Sequence, residues 1–140
     1  MKITDFAGGY EVKSHRAFQG GAFECDLFNE GRKILHVVND GRGGSNRYEP
    51  VQGNVGLDFG SSLVSLRAFA AHEGFGGCKP HDMFVEALCF VKDAAEYSKR
   101  QKVSFAVSAE PLIKGLVCID KRYFASTIAL IHRVAGAVSK

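Results

Sequence analysis

The sequence has no long apolar run, no tryptophan and no dense cluster of acidic residues. Roughly 20 consecutive apolar residues are needed to cross a bilayer, so no membrane span is predicted. The first residues, MKITDFAGGYEVK, also lack the apolar centre of a secretory signal, and we therefore expect a cytoplasmic protein. A protein that mimics DNA needs a strongly acidic surface, and the formal net charge of +3 argues against that class.

Proline is also scarce, with 3 residues. The four cysteines are scattered without the close spacing of a disulfide framework, and we expect them to be reduced and mostly buried. With 46% hydrophobic residues, the composition is that of a packed globular protein. A length of 140 residues suits one core, so a single domain, residues 1–140, is predicted.

The first third of the chain alternates between apolar and polar residues, which is the pattern of half-buried strands. Residues 22–28 form the clearest such strand. A turn at 29–31 leads to a second strand at 33–38, and residues 10–12 form a third strand before them. The pattern predicts an antiparallel meander at the N-terminus.

Two helices are predicted in the middle of the chain. The first begins at Ser61 or Ser62, either of which offers a capping hydroxyl, and ends near Ala71. The second begins with Asp82 as its N-cap and ends near Gln101, because apolar side chains recur at helical spacing between them. The opposite face of this helix carries charged residues that we expect to face water: Asp82, Glu86, Asp93, Glu96 and Arg100.

The last third predicts a strand hairpin and a helix. Residues 103–107 alternate again, residues 115–119 read as a second strand, and a proline breaks the chain between them. A last helix is predicted over 121–133, with Gly136 ending it and residues 137–138 adding a short edge strand. The predicted fold is α+β: an N-terminal antiparallel strand meander, two central helices, a C-terminal strand hairpin and a final helix, with one sheet covered by helices.

A glycine-rich segment interrupts the strand pattern after residue 38, and we call residues 39–48 the first glycine loop. The candidate binding residues are Asn39, Asp40, Gly41, Arg42, Gly43, Gly44, Asn46, Arg47 and Tyr48. Glycines allow consecutive backbone amides to turn inward and form a concave nest for anions. Arg42 and Arg47 add guanidinium groups that suit phosphate or carboxylate, and Asn46 and Tyr48 add hydrogen bonds and a stacking face.

A purely structural turn is the alternative interpretation of the same loop. Asn-Asp-Gly is a common turn sequence, in which Asp40 accepts a hydrogen bond from its own backbone. The segment is not a Walker loop, which needs a Lys-Ser/Thr pair and a helix directly after the glycines. It is also not a dinucleotide fingerprint, which needs a βαβ unit. Anion binding and a structural turn both stay open.

The sequence predicts no metal site, no cofactor and no assigned catalytic residue. Zinc-ligand residue types occur at His72, Cys78, His81 and Cys89, but they lack paired close spacing, and Cys89 is better explained as a core cysteine. His36 is expected to be a core histidine within its strand. No Gly-x-Ser-x-Gly elbow and no His-Glu-x-x-His helix occurs. A binding protein is therefore favoured over an enzyme.

Two strings carry a resemblance to a known family: AFECDLFNEGRK at 22–33 and VNDGRGGSNRY at 38–48. They resemble an uncharacterised family of small proteins from phages, prophages and related mobile elements. Those proteins share a strand hairpin, an Asn-Asp-Gly-x-Gly-Gly loop followed by an aromatic residue, and a later basic segment leading to a strand. Here the basic segment is 99–102 and the strand 103–107. The resemblance covers roughly residues 18–50 and brings no activity with it. It implies a bacterial host cell, and many small proteins in that setting inhibit bacterial defence systems.

These observations favour a non-enzymatic binding protein of mobile-element origin that counters host defence. Its partner is expected to be a nucleotide-like molecule, held by the glycines and arginines, or a host defence protein that meets the same loop. Direct nucleic-acid binding has weaker support, because the basic residues form only short clusters. The alternatives are a self-associating structural protein and a small enzyme acting on a nucleotide or phosphorylated substrate, with Asp40 and His36 as its candidate titratable residues.

Overall fold

A computed structural model describes residues 3–51 and 58–138 of the chain. Within this part, four strands come first and four α-helices follow. The strands are β1 (Tyr10–Ala17), β2 (Phe23–Asn29), β3 (Arg32–Asn39) and β4 (Arg47–Pro50). The helices are α1 (Phe59–His72), α2 (Pro80–Gln101), α3 (Phe105–Asp120) and α4 (Ala125–Val138). The sequence shows no regular pattern from Pro50 to Asp58, and most of that segment, residues 52–57, lies outside the described residues.

The strands form one antiparallel sheet in the order β1-β2-β3-β4. The predicted meander is therefore present, and it has one strand more than expected, because β4 lies where the sequence indicated the end of a loop. Between β2 and β3, Glu30 (φ 52°) and Gly31 (φ 78°) form a two-residue turn with left-handed backbone. Such a turn matches the twist of the strands that it joins, and glycine adopts it without strain.

One face of the sheet is apolar and packs against the helices. Alternation along each strand sends every second side chain to this face. At its centre, the ring of Phe84 in α2 lies 5.7 Å from the ring of Tyr10 in β1 and 5.5 Å from that of Phe69 in α1. The strand side chains that are fully buried in this layer include Val12, Leu27, Leu35 and Val37.

The opposite face of the sheet is charged and carries His36, which was expected in the core. Leu35 and Val37 occupy the buried face, so the residue between them must point the other way. There, His36 Nδ1 lies 2.8 Å from Asp26 Oδ1 on the neighbouring strand. His36 is thus a partnered surface residue, on the side of the sheet away from the helices.

Both central helices begin earlier than the sequence predicted. The N-cap of α1 is Asp58, whose Oδ1 accepts a hydrogen bond from the Gly60 amide at 3.0 Å. Helix α2 begins at Pro80, which suits a first helical position because the amide hydrogen that proline lacks would have no helical partner there. Asp82 therefore lies inside the first turn, and its carboxylate bonds to groups outside the helix.

The predicted C-terminal strand hairpin is wrong, because residues 105–120 form α3. Ser104 caps this helix by accepting a hydrogen bond from the Val107 amide at 3.2 Å. The buried residues Phe105, Ala109 and Leu116 follow helical spacing, which a short β-like alternation had masked. Pro111 lies inside α3 and does not end it, since packing on α2 and α4 offsets the lost backbone hydrogen bond.

The last helix also differs from its prediction. Helix α4 begins at Ala125 and continues through Gly136 to Val138, so the expected edge strand at 137–138 is helical. Leu130, Ile131 and Val134 are buried and hold it against the core. Among the described residues, no helix is long and apolar enough to cross a membrane.

Candidate functional site

The first glycine loop begins with two turns that use its own side chains. Asn39 Oδ1 accepts a hydrogen bond from the Gly41 amide at 2.8 Å, and Asp40 Oδ1 accepts one from the Arg42 amide at 3.0 Å. The turn at Asp40 is the one that the structural interpretation of the sequence predicted, and the turn at Asn39 is an additional one. The first part of the loop therefore uses its amides internally, and only the later part can offer amides to a ligand.

Gly41 holds the loop against the start of the sheet. Its backbone is left-handed, with φ 78°, and a Cβ atom placed there would lie 2.6 Å from the carbonyl oxygen of Gly20 and 2.7 Å from the amide nitrogen of Ala22. Both contacts are with backbone, which cannot move aside as a flexible side chain can. Only glycine fits, and its role is structural.

Asp82 anchors the other end of the loop to α2. Its carboxylate accepts a hydrogen bond from the Tyr48 hydroxyl at 2.7 Å and another from the Asn46 amide at 3.2 Å. Burial, with the Asp82 charge beside it, raises the pKa of Tyr48, so this hydroxyl stays protonated and keeps donating. Asn39 Nδ2 completes the network by donating to Asn46 Oδ1 at 2.9 Å.

The sequence could not identify Asp82 as part of this site. It lies more than thirty residues from its partners in the chain, and it was expected to cap α2 and face water. The available signal was a polar, glycine-rich loop that needed an anchor. Nothing in the sequence indicated which helix would supply it.

The guanidinium groups of Arg42 and Arg47 take no part in the hydrogen-bonded network of the loop. Both are exposed, and Arg47 Nε lies 3.8 Å from Glu49 Oε2, a loose surface ion pair. The structure therefore brings together Asn39, Asn46 and Tyr48 of the candidate residues. The side chains of Arg42 and Arg47 form no hydrogen bond with these three residues.

The later part of the first glycine loop meets a second glycine-rich segment, residues 74–77, at a polar cleft of about 310 Å³. We call it the loop cleft. Lys79 Nζ joins its two sides by donating to Ser45 Oγ at 2.6 Å. Its lining includes Gly43, Gly44, Gly76, Gly77, Lys79, Asp82 and Glu86.

The glycines of the loop cleft leave backbone uncovered. Gly43 and Gly77 have left-handed backbone, whereas Gly44 and Gly76 do not, and a Cβ atom at any of the four would meet no other atom within 4 Å. Among the described residues, no hydrogen bond uses the amides of these glycines. The packing of the protein therefore does not require glycine at Gly44 or Gly76, but a ligand that approaches the backbone would.

Glu86 is the titratable side chain of the loop cleft whose pKa is shifted. Burial raises the pKa of this carboxyl, and the described part of the chain gives it neither a hydrogen-bond donor nor an ion-pair partner. The sequence placed it on a water-facing stripe of α2. In the fold, the first glycine loop and the segment before β2 cover part of that stripe.

The candidate zinc ligands do not gather around one point. His72 and Cys78 are exposed, His81 is buried at the start of α2, and Cys89 faces Cys25 in the core at 4.0 Å between the sulfur atoms. No group of three metal-ligand side chains occurs within the residues that the structure describes. Two of the four cysteines, rather than most, are buried, and all four are free.

His81 packs under the loop anchor. Its ring centroid lies 5.2 Å from that of Tyr48, and its buried Nδ1 has no hydrogen-bond partner among the described residues. Burial lowers the pKa of His81 below its ordinary 6.5, and Arg67 and Lys79 add to this while Asp82 opposes it. The folded protein therefore favours the neutral ring.

We expect acidification to destabilise the fold through His81. As the pH falls through about 6.5, the unfolded chain takes up this proton first, so the free energy of unfolding decreases until the pH is below the folded-state pKa. Urea unfolding of the wild type and of His81→Gln at about pH 7.5 and about pH 5 measures the effect. The variant should lose less stability between the two pH values, and an equal loss would contradict the prediction.

The described geometry suits the binding of a small polar ligand. The loop cleft offers uncovered amides and one lysine, and Asp82 anchors the loop that lines it. The two titratable residues that were candidates for catalysis, His36 and Asp40, do not line it. No protein-family model, no curated protein and no solved structure matches this chain.

Proposed function

We propose that the chain is a non-enzymatic binding protein whose ligand, a phosphate-bearing and nucleotide-like molecule, occupies the loop cleft. One observation carries this proposal. Two glycine-rich segments that are distant in the sequence meet at the same cleft. The lining glycines Gly43, Gly44, Gly76 and Gly77 have amides without a hydrogen-bond partner among the described residues. Phosphate oxygens are strong acceptors for clustered backbone amides, and glycine lets the backbone approach them closely.

The charges around the loop cleft support a phosphate at its glycine end. Lys79 supplies a positive charge there, and Ser45 orients its ammonium group. The amino-terminal end of α2 adds a positive partial charge nearby. Two carboxylates, Asp82 and Glu86, also line the cleft, and that of Asp82 accepts hydrogen bonds from the Asn46 amide and the Tyr48 hydroxyl, which occupy its oxygens.

A host defence protein is the second candidate partner. The observation that favours it is the exposure of Arg42 and Arg47, which lie next to lining residues in the chain but do not line the loop cleft themselves. Exposed guanidinium groups suit the rim of a protein interface. The two candidates therefore use different residues and can be separated by mutation.

The biological setting remains part of the proposal. It rests on the resemblance of residues 18–50 to mobile-element proteins, many of whose small neighbours inhibit bacterial defence. A phosphate-bearing signal molecule would be sequestered by such a protein, and a defence protein would be blocked by it. Expression of the chain in bacteria that carry defined defence systems, followed by phage plaque counts, tests this setting.

Nucleotide binding should depend on Lys79 and not on the two arginines. In isothermal titration with mononucleotides, cyclic nucleotides and ADP-ribose, we expect Lys79→Met to weaken binding by about tenfold or more, since it removes a charged hydrogen bond to phosphate. Lys114→Met is the matched control, because this lysine pairs with Glu110 on α3, away from the cleft. The Arg42→Ala, Arg47→Ala double variant should bind within about twofold of the wild type.

Other outcomes of the same experiment would replace the proposal. Silence across the whole panel removes the nucleotide ligand. If the wild type then captures a host protein from a lysate and the double arginine variant does not, the second candidate is supported. If chromatography shows that the nucleotide is chemically converted during the titration, the enzyme alternative is supported instead.

A further inference from the structure

An apolar groove of about 340 Å³ lies beside the loop cleft, between the segment before β2 and the middle of α2. Phe18, Ala22, Phe23 and Phe90 form most of its apolar wall. His15 and Asp93 also line it, with His15 Nδ1 2.8 Å from Asp93 Oδ1. Phe18 is 54% exposed, so its ring is offered to solvent rather than used in the core.

Glu86 lines both the apolar groove and the loop cleft. Its carboxylate stands where the two spaces meet, and no described residue donates a hydrogen bond to it. A partly buried carboxylate without a donor is unfavourable, because the water that it loses is not replaced. A ligand with hydroxyl groups at this point would supply the missing donors.

The wall between the two spaces is thin. Gly41 of the first glycine loop lies directly against Gly20 and Ala22, and Ala22 forms part of the apolar groove. Two residues further along, Gly43 lines the loop cleft. The two spaces are thus neighbours on one surface, and one ligand can occupy both.

We infer that the ligand is a ribonucleotide, which spans both spaces and donates hydrogen bonds from its ribose hydroxyls to the Glu86 carboxylate. This inference rests on the proposed function, since it takes the phosphate of the ligand to lie at the glycines of the loop cleft. The base then enters the apolar groove. The order phosphate, sugar, base along a nucleotide matches the order polar cleft, carboxylate, apolar groove along the protein.

The sugar and the base of a ribonucleotide each suit the part of the protein that they would contact. A ribose carries two adjacent hydroxyl donors, and a carboxylate offers two acceptor oxygens, which is why acidic residues hold ribose hydroxyls in dinucleotide sites. A flat base suits the exposed ring of Phe18, since aromatic rings stack on any base. Pockets for small molecules usually measure about 300–1,000 Å³, so each space alone is at the small end for a whole nucleotide.

The test compares ribonucleotides with analogues that lack the sugar hydroxyls. Wild-type protein is titrated with the four common ribonucleoside 5′-monophosphates, and the tightest of them is compared with its 2′,3′-dideoxy analogue. We expect the ribonucleotide to bind about tenfold more tightly, because two hydrogen bonds to a charged acceptor are lost in the analogue. In Glu86→Gln the difference should shrink to about twofold, while Glu96→Gln, an exposed change on the same helix, should retain it.

A second variant addresses the base. Phe18→Ser should lower the affinity for the ribonucleotide by about tenfold and leave the affinity for ribose 5-phosphate unchanged, because only the nucleotide has a base that stacks on the ring. Far-ultraviolet circular dichroism checks that each variant is folded. The comparison of the two nucleotides on the wild type needs no variant at all.

The outcomes separate this inference from the proposed function. If inorganic phosphate and ribose 5-phosphate bind through Lys79 but the ribonucleotide and its dideoxy analogue bind equally, the phosphate site stands and the ribose contact is overturned. If none of these probes binds the wild type, and no cyclic nucleotide or ADP-ribose binds it either, the proposed function fails and the inference fails with it. A preference for the ribonucleotide that survives in Glu86→Gln overturns the assignment of Glu86.

Discussion

Replacing Asp82 with alanine is expected to lower the free energy of unfolding by about 3 kcal/mol, because two hydrogen bonds to one carboxylate are lost together. One donor, the Tyr48 hydroxyl, is part-buried and keeps only a 3.3 Å contact from Asn46 Nδ2. The other, the Asn46 amide, is also part-buried and would lose its acceptor. Urea unfolding followed by circular dichroism measures the change.

A double-mutant cycle shows whether the loss comes from the anchor. Tyr48→Phe alone should cost about 1.5 kcal/mol, and the double variant should cost less than the sum of the two single changes by about 1 kcal/mol. The control is Glu96→Ala on the exposed side of α2, which should change stability by no more than about 0.5 kcal/mol. A loss below about 1 kcal/mol for Asp82→Ala would mean that the anchor contributes little.

Three of the four strands were predictable from local patterns. The hairpin of β2 and β3 follows from the alternation in β2, from the aliphatic run of β3 and from Glu30-Gly31, a pair that can adopt the left-handed turn. Helix α2 follows from a long apolar stripe at helical spacing. Each of these signals lies within one element and needs no knowledge of what packs against it.

The second half of the fold was not predictable in the same way. Val103 to Val107 alternates like a strand, but Ser104 caps a helix, and packing against α2 and α4 then decides the structure of the segment. Pro111 misled in the same direction, because a proline costs about 3 kcal/mol in a helix interior and is usually read as a break. Tertiary contacts offset that cost here, and no local pattern reveals them.

In the candidate site, too, features set by local sequence could be predicted and features set by tertiary packing could not. The first glycine loop and its internal turn at Asp40 follow from short-range chemistry and could be predicted, and the turn at Asn39 has the same short-range origin. Lys79, Asp82 and Glu86 could not, because they reach the loop only through the packing of α2 on the sheet. Residues that were assigned to a water-facing helix stripe therefore became the anchor and the wall of the cleft.

The glycines of the first loop should differ sharply in their tolerance of a methyl group. Gly41→Ala is expected to lower the free energy of unfolding by about 3 kcal/mol, because it combines a left-handed backbone, unfavourable for alanine by about 1–2 kcal/mol, with an overpacking cost of similar size. The new Cβ would lie 2.6 Å from the Gly20 carbonyl oxygen and 2.7 Å from the Ala22 amide nitrogen. Neither backbone atom can move without disturbing the start of β2.

Gly44→Ala provides the matched comparison within the same loop. Gly44 has no left-handed backbone, and a Cβ there meets no atom within 4 Å, so the change in stability should stay within about 0.5 kcal/mol. If Gly44 instead gives a ligand access to the backbone, Gly44→Val should reduce nucleotide affinity while the protein remains fully folded. Equal destabilisation by Gly41→Ala and Gly44→Ala in urea unfolding would contradict the division of the loop into a structural start and an open, ligand-facing end.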